Sequence, residues 1–271
     1  MGTRRGAARV AALVGAAAVL LGGCASGGGQ GTNADPEQVD TVDVPTLGAC
    51  RELAPDDVAR PSNASRTVGC DAPHTAQTYA VGDLPDALDD AAYDATEVGA
   101  FAYETCTAKL QDFLGADVSL SLRTLLTWAW FRPSEEAWDD GARWYRCDVV
   151  GGTEDSASLP RLPETAQGLL QGRPDDRWLV CADGPSIADA PRVACADPHQ
   201  WRAATTIKVG EADDDYPGDE VVRNRTRTFC SDSVRAYLGY PVDFEYSYTY
   251  FHRAEWDFGN RRSICWAKTE D

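Results

Sequence analysis

The sequence predicts an α+β protein built from two tandem small disulfide-bonded domains, each a helix packed on an antiparallel sheet. Three observations carry this expectation. A set of four cysteines occurs twice, with the second and third of each set nearly the same distance apart. Each set brackets an amphipathic helical stretch followed by residues that alternate with period two. The N-terminus has the form of an export signal, which places the cysteines in an oxidising compartment.

Residues 1–23 read as a lipoprotein signal peptide. Arg4, Arg5 and Arg9 precede or open an apolar run over 10–21 that is too short and too rich in Ala and Gly for a stable span. The run ends in Leu21-Gly22-Gly23-Cys24, a bacterial lipobox pattern. Cleavage there makes Cys24 the diacylated first residue of the mature chain, and two or three acyl chains anchor stably where one binds only marginally. Residues 24–45 are small and polar, a lipidated flexible tether; the 22 residues over 25–46 give a root-mean-square reach of about 25 Å. The expected location is therefore extracytoplasmic, on the outer face of the cell membrane.

The formal charge is −18, and loss of the three leader arginines makes it −21. Such a surface argues against nucleic acid and against electrostatic adhesion to anionic lipid. The membrane is a partner only through the lipid.

Apart from Cys24, eight cysteines remain: Cys50, Cys70, Cys106 and Cys147, then Cys181, Cys195, Cys230 and Cys265. The second and third are 36 positions apart in the first set and 35 in the second, and each third cysteine is followed at the same distance by Leu-Gly, at Leu114-Gly115 and Leu238-Gly239. Trp138-Asp139-x-Gly141-x-Arg143 before Cys147 is matched by Trp256-Asp257-x-Gly259-x-Arg261 before Cys265. Internal duplication is the economical explanation. The units are expected over 46–150 and 176–271, with 151–175 a linker rich in Gly, Ser, Pro and acidic residues.

Each unit follows one plan. Val98, Phe101, Ala102, Cys106, Leu110, Phe113 and Leu114 fall on one helical face that Gly115 caps; Val222, Thr226, Phe229, Cys230, Val234, Tyr237 and Leu238 repeat this before Gly239. Leu122, Thr124, Leu126, Trp128 and Trp130, and in the second unit Phe244, Tyr246, Tyr248 and Tyr250, then alternate as a strand. A turn around Gly141 or Gly259 leads to a last strand carrying the fourth cysteine. The helical cysteine faces that strand, so the expected bridges are Cys106–Cys147 and Cys50–Cys70, and likewise Cys230–Cys265 and Cys181–Cys195. Three pairings per unit are combinatorially open.

Two clusters invite a chemical reading, Cys70-Asp71-Ala72-Pro73-His74 and Cys195-Ala196-Asp197-Pro198-His199. A zinc site would need further thiolates, which oxidation removes in an exported chain. The favoured reading is that each histidine fixes a turn beside a disulfide, with His74, His199 and Trp201 held as candidate partner contacts. Trp178 is a further candidate surface aromatic. The tyrosine-rich stretch 244–251 reads as core rather than a glycan platform, and Asp213, Asp215 and Asp219 lack the placements of a calcium loop. His252 has no counterpart in the first unit, and no nucleophile–base motif is present. No catalytic residue, metal or cofactor is assigned.

The order Cys50, Cys-Asp-Ala-Pro-His at 70–74, helical Cys106, Trp-x-x-Gly-x-Arg at 138–143 and Cys147 resembles the septum-formation domain family, and the second unit resembles another copy. The first cysteine departs from the family's Gly-Asp-Cys-Phe context, reading Gly48-Ala49-Cys50-Arg51. The resemblance implies an extracytoplasmic, membrane-attached protein linked to cell division and wall septation, with no catalytic residues. The expected function is a non-enzymatic scaffold or partner-binding module for cell-division or cell-wall proteins. The alternatives are a wall-polymer or small-ligand binder using exposed aromatics and, less favoured, a metal-dependent hydrolase.

Overall fold

The computed structural model describes residues 44–153 and 156–269. Cys24 and the signal segment lie outside the described residues. The first unit contains β1 (Cys50–Arg51), the short α1 (Pro55–Val58), β2 (Thr67–Val68), β3 (Ala76–Asp83), α2 (Thr96–Leu114), the one-turn α3 (Val118–Ser121), β4 (Leu126–Phe131), α4 (Glu135–Asp139) and β5 (Trp144–Gly151). The second contains β6 (Val180–Ala182), β7 (Arg192–Ala194), β8 (Trp201–Lys208), α5 (Asp219–Tyr237), β9 (Tyr246–Thr249), α6 (Arg253–Asp257) and β10 (Arg262–Lys268).

Each unit forms a five-stranded antiparallel sheet with one topology: β2-β1-β3-β5-β4 in the first and β7-β6-β8-β10-β9 in the second. Even the irregularity is duplicated. The ladder between β3 and β5 slips between Thr78 and Ala80, and that between β8 and β10 slips opposite Cys265 and Trp266, leaving Tyr79 and Ala204 as the extra residues. The α+β expectation and the tandem arrangement are both met.

The two long helices end alike. Gly115 and Gly239 adopt left-handed φ of 70° and 81°, and the amides after them reach back to Gln111 O at 3.0 Å and Arg235 O at 2.8 Å. In α2, Val98, Ala102, Cys106, Leu110 and Leu114 are buried against the sheet, and in α5 Val222, Thr226, Cys230 and Val234 are buried. The disulfides are Cys50–Cys70, Cys106–Cys147, Cys181–Cys195 and Cys230–Cys265, with Cα separations of 5.3, 5.7, 4.9 and 5.1 Å. These are the pairs expected from the helical facing of the third cysteine.

Several local expectations need correction. The strand of the first unit begins at Leu126; residues 118–121 instead form α3, whose first turn Asp117 caps by accepting from Leu120 N at 2.7 Å, and Leu122 closes it. The connections before β5 and β10 are not simple turns but contain α4 and α6. On α5, Phe229, Tyr237 and Leu238 are exposed although they lie in the apolar pattern. The stretch after β5 also does more than connect. Leu162, Ala166 and Leu170 are buried in the same cluster as Leu110, Leu114 and Leu126.

The face of the first sheet remote from α2 carries a buried charge network. Arg146 and Asp148 on β5 are fully buried, with Arg146 Nε 3.2 Å from Asp148 Oδ2. Thr78 donates to Asp148 Oδ1 at 2.6 Å, Arg51 donates to Thr78 at 2.8 Å, and Arg146 donates to Asn63 Oδ1 at 3.0 Å. The corresponding second-unit positions hold Ala182, Ala203, Ile264 and Trp266, packed with Ile187, Ala190 and Trp201.

The units are joined by hydrogen bonds. Thr124 and Leu179 form an antiparallel bridge, flanked by Leu125 N donating to Trp178 O at 2.8 Å and Val180 N to Arg123 O at 3.0 Å. The Arg123 guanidinium then donates to Ala204 O on β8 at 2.9 Å.

Candidate functional site: the open end of the second helix

The repeated motifs are structural. Nδ1 of His74 donates to Ala72 O and Nδ1 of His199 to Asp197 O, both at 2.8 Å, which locks each Pro-His turn. Both histidines are buried, His74 at 1% exposure, and the neighbouring Cys70 and Cys195 are disulfide-bonded, so neither sulfur is a free thiolate for a metal. The Trp-x-x-Gly-x-Arg motifs work in the same way in both copies. Arg143 stacks 4.2 Å from Trp138 and donates to Trp138 O at 2.7 Å, while Arg261 stacks 3.5 Å from Trp256 and donates to Trp256 O at 2.6 Å.

Trp201, considered above as a surface contact, is 5% exposed. Its indole N–H donates to Gly184 O at 2.9 Å and its ring packs beside Trp266. Trp178 is likewise buried, in the core of the first unit. Among the described residues no group of three or more His, Cys, Asp or Glu could hold a metal, and no helix is long and apolar enough to cross a membrane. His252 Nδ1 lies 3.1 Å from Asp219 Oδ2, and Tyr216 donates to the other oxygen, but the cluster is exposed and contains no serine or thiol. Hydrogen bonds from Tyr216 and then His252 hold the Asp219 carboxyl below the usual range.

A second difference between the units lies at the C-terminal end of the long helix. In the first unit Leu114 is completely buried. Gly168 N donates to Phe113 O at 2.8 Å, Leu170 N to Leu114 O at 3.0 Å, and Ala166 N to the Gln77 side chain at 2.8 Å. Leu162, Ala166, Leu170 and Trp178 fill the space over Leu114 and Leu126, with Ala116 and Leu120 from the α3 loop beside them.

In the second unit the matching residues are Leu238 for Leu114, Tyr237 for Phe113, Phe244 for Leu126 and Arg202 for Gln77, fixed by the shared glycine and strand registers. No described segment covers them. Leu238 is 37% and Tyr237 50% exposed. A cavity of about 560 Å³ opens between Leu238, Pro241, Asp243, Phe244, Glu245 and Lys268. No described group donates to the carbonyls of Tyr237 or Leu238. Beside the cavity Tyr240 holds φ at 62° with its side chain 70% exposed, and Val242 is 92% exposed. Lys268 pairs with Glu245 at 2.9 Å on the rim; nearby Arg202 pairs with Asp176 at 2.5 Å, and that hydrogen bond draws the Asp176 carboxyl below its usual range.

Sequence reasoning missed this groove. The available signal was a spacing: Gly115 to Leu126 is 11 positions and Gly239 to Phe244 only 5. The second unit therefore lacks the loop that supplies Ala116, Leu120 and α3.

Fold and surface together define a duplicated, disulfide-tied α+β module with one apolar groove filled and its twin open. The family model described as Septum formation matches residues 23–132 and again 124–265. The chain belongs to the Septum formation family. The matched intervals overlap at 124–132, whereas the two sheets divide after β5. No curated protein and no solved structure matches the chain.

Proposed function

We propose that this protein is a non-enzymatic, extracytoplasmic lipoprotein, held by lipid on Cys24 to the outer face of the cell membrane, that binds partner proteins of the division or wall-building machinery. Membership of a septum-formation family, which is not a family of known enzymes, associates the chain with the septum and envelope. The observation that carries the binding role is the uncovered apolar end of α5, where Tyr237, Leu238, Tyr240 and Val242 are all exposed. Large apolar side chains grouped on one surface mark interaction sites. The aromatic glycan-binding alternative loses its named residue, because Trp201 is in the core.

The test is imaging of a functional C-terminal fluorescent fusion in dividing cells, with Cys24 intact and as Cys24→Ala. Enrichment at septa that follows division, and release of the Cys24→Ala chain from the membrane, are the expected results. A uniform envelope signal would remove the septal role, and membrane retention without Cys24 would remove the lipid anchor.

A further inference from the structure

The two copies of the module show the same groove in two states, and the filled copy identifies what fits. We propose that the groove at the end of α5 is a docking site for a turn-forming apolar peptide segment of a partner protein, seated as residues 162–170 are seated on the first unit. This rests on the partner-binding reading and specifies its site and the chemistry of its ligand.

Three features of the occupied groove carry over. First, the floor is retained: Leu238 and Phe244 stand where Leu114 and Leu126 receive Leu170. Second, the carbonyls of Tyr237 and Leu238 are placed as those of Phe113 and Leu114, which accept amides two residues apart, from Gly168 and Leu170. In the first unit those two amides sit in consecutive turns, with Gly168 at φ 71° and bonds from Leu169 N to Ala166 O at 3.1 Å and Gln171 N to Gly168 O at 3.0 Å, so the fitting occupant carries a turn with glycine at that position. Third, the rim is built at a cost. Tyr240 occupies left-handed backbone, costly for an aromatic residue, without burying its ring.

The chain does not supply this occupant from its own equivalent segment, because Leu162, Ala166 and Leu170 are already buried on the first unit. One difference predicts selectivity. Arg202 replaces Gln77, whose side chain accepts from Ala166 N, and its guanidinium is engaged by Asp176 and Tyr237, so an incoming segment finds no side-chain acceptor there for a backbone amide.

The experiment uses the full mature chain with its disulfides intact and a fluorescein-labelled peptide of residues 159–172, LPRLPETAQGLLQG, followed by fluorescence anisotropy. Saturable binding with a dissociation constant in the micromolar to millimolar range is expected. Leu238→Asp in the protein, or aspartate for Leu170 in the peptide, should each weaken it at least about tenfold. Leu238 is partly exposed, so that variant should keep its fold, and a thermal melt checks this; Tyr240→Gly, which relieves the backbone, should also bind more weakly. The Leu238→Asp comparison separates docking in the second groove from exchange into the first.

Absence of saturation, or equal binding by Leu238→Asp, would overturn the proposal. So would concentration-dependent dimerisation lost on Leu238→Asp, which would make the occupant a second copy, or flotation of the unlipidated chain with phosphatidylcholine vesicles, which would make it a lipid surface. Septal imaging is independent of these outcomes. Failed peptide binding with septal enrichment intact removes the groove and leaves the scaffold reading. Peptide binding without septal enrichment does the reverse.

Discussion

Replacing Asp148 by asparagine tests whether the charges buried in the first sheet act as one unit. Asp148 accepts from Thr78 at 2.6 Å and lies 3.2 Å from Arg146 and 4.0 Å from Arg51, with all three charged side chains 2% exposed or less. Burial lowers the proton affinity of Arg146, pushing its pKa down to about 10, and Asp148 works against that fall. Guanidinium keeps its charge at neutral pH, so the variant leaves two buried cations without a counter-charge. The expected loss is about 3–5 kcal/mol, since one partner goes and the desolvation cost of the others stays. For a unit of this size each kcal/mol is about 4–8 °C, so the melting temperature should fall by at least about 12 °C.

The assay is a thermal melt by circular dichroism under non-reducing conditions, alongside the charge-free replacement Arg51→Ala, Arg146→Ile, Asp148→Leu. That triple variant approximates the second unit, where Ala182, Ile264 and Trp266 occupy the same places, and it should be more stable than Asp148→Asn alone. A loss below about 1 kcal/mol for Asp148→Asn would show that water reaches the network and would refute the argument from desolvation.

Three further outcomes follow from the same structure. Tyr240→Gly should raise stability by about 1 kcal/mol in a denaturant titration, because glycine takes positive φ without the penalty tyrosine bears. Leu170→Ala should cost about 2–5 kcal/mol in the same assay, since it hollows the filled groove of the first unit. The Tyr216 phenol is pushed up to about 12 by desolvation and then by its hydrogen bond to Asp219, so absorbance at alkaline pH should show it ionising late, and Asp219→Asn should bring it part of the way back toward 10. Because its folded pKa is raised, the stability Tyr216 contributes is complete below the ordinary tyrosine range and is lost as pH climbs through about 12.

The duplication was legible because it is written in registers that do not depend on packing: cysteine spacing, the Leu-Gly after each helical cysteine, and the repeated Trp-x-x-Gly-x-Arg. The disulfide pairs were legible because a helical cysteine on the buried face meets the strand beneath it. Periodicity assigned Phe229, Tyr237 and Leu238 to the inner face of α5, but periodicity gives only a face and not whether a neighbour covers it. The segment over 162–170 was illegible for the opposite reason. Its Leu162, Ala166 and Leu170 lie in irregular chain that buries side chains without a helical or strand period, against a helix end completed by other parts of the sequence. The burial of Arg146 and Asp148 left no mark in the local sequence pattern, because it depends on the distant loop carrying Asn63, which bonds Arg146.

The Cys50–Cys70 bridge has a mechanical consequence. β1 is only two residues long, and its ladder alone would peel readily if the chain were pulled from its N-terminal side. Cys50 is the first residue of that strand and is covalently joined to Cys70, beyond β2. Tension applied from that side would therefore meet a covalent clamp at the domain's edge and free only the few described residues before it. Under the proposed anchoring at Cys24 and docking at α5, that clamp would protect the load path at the point where backbone hydrogen bonding is thinnest.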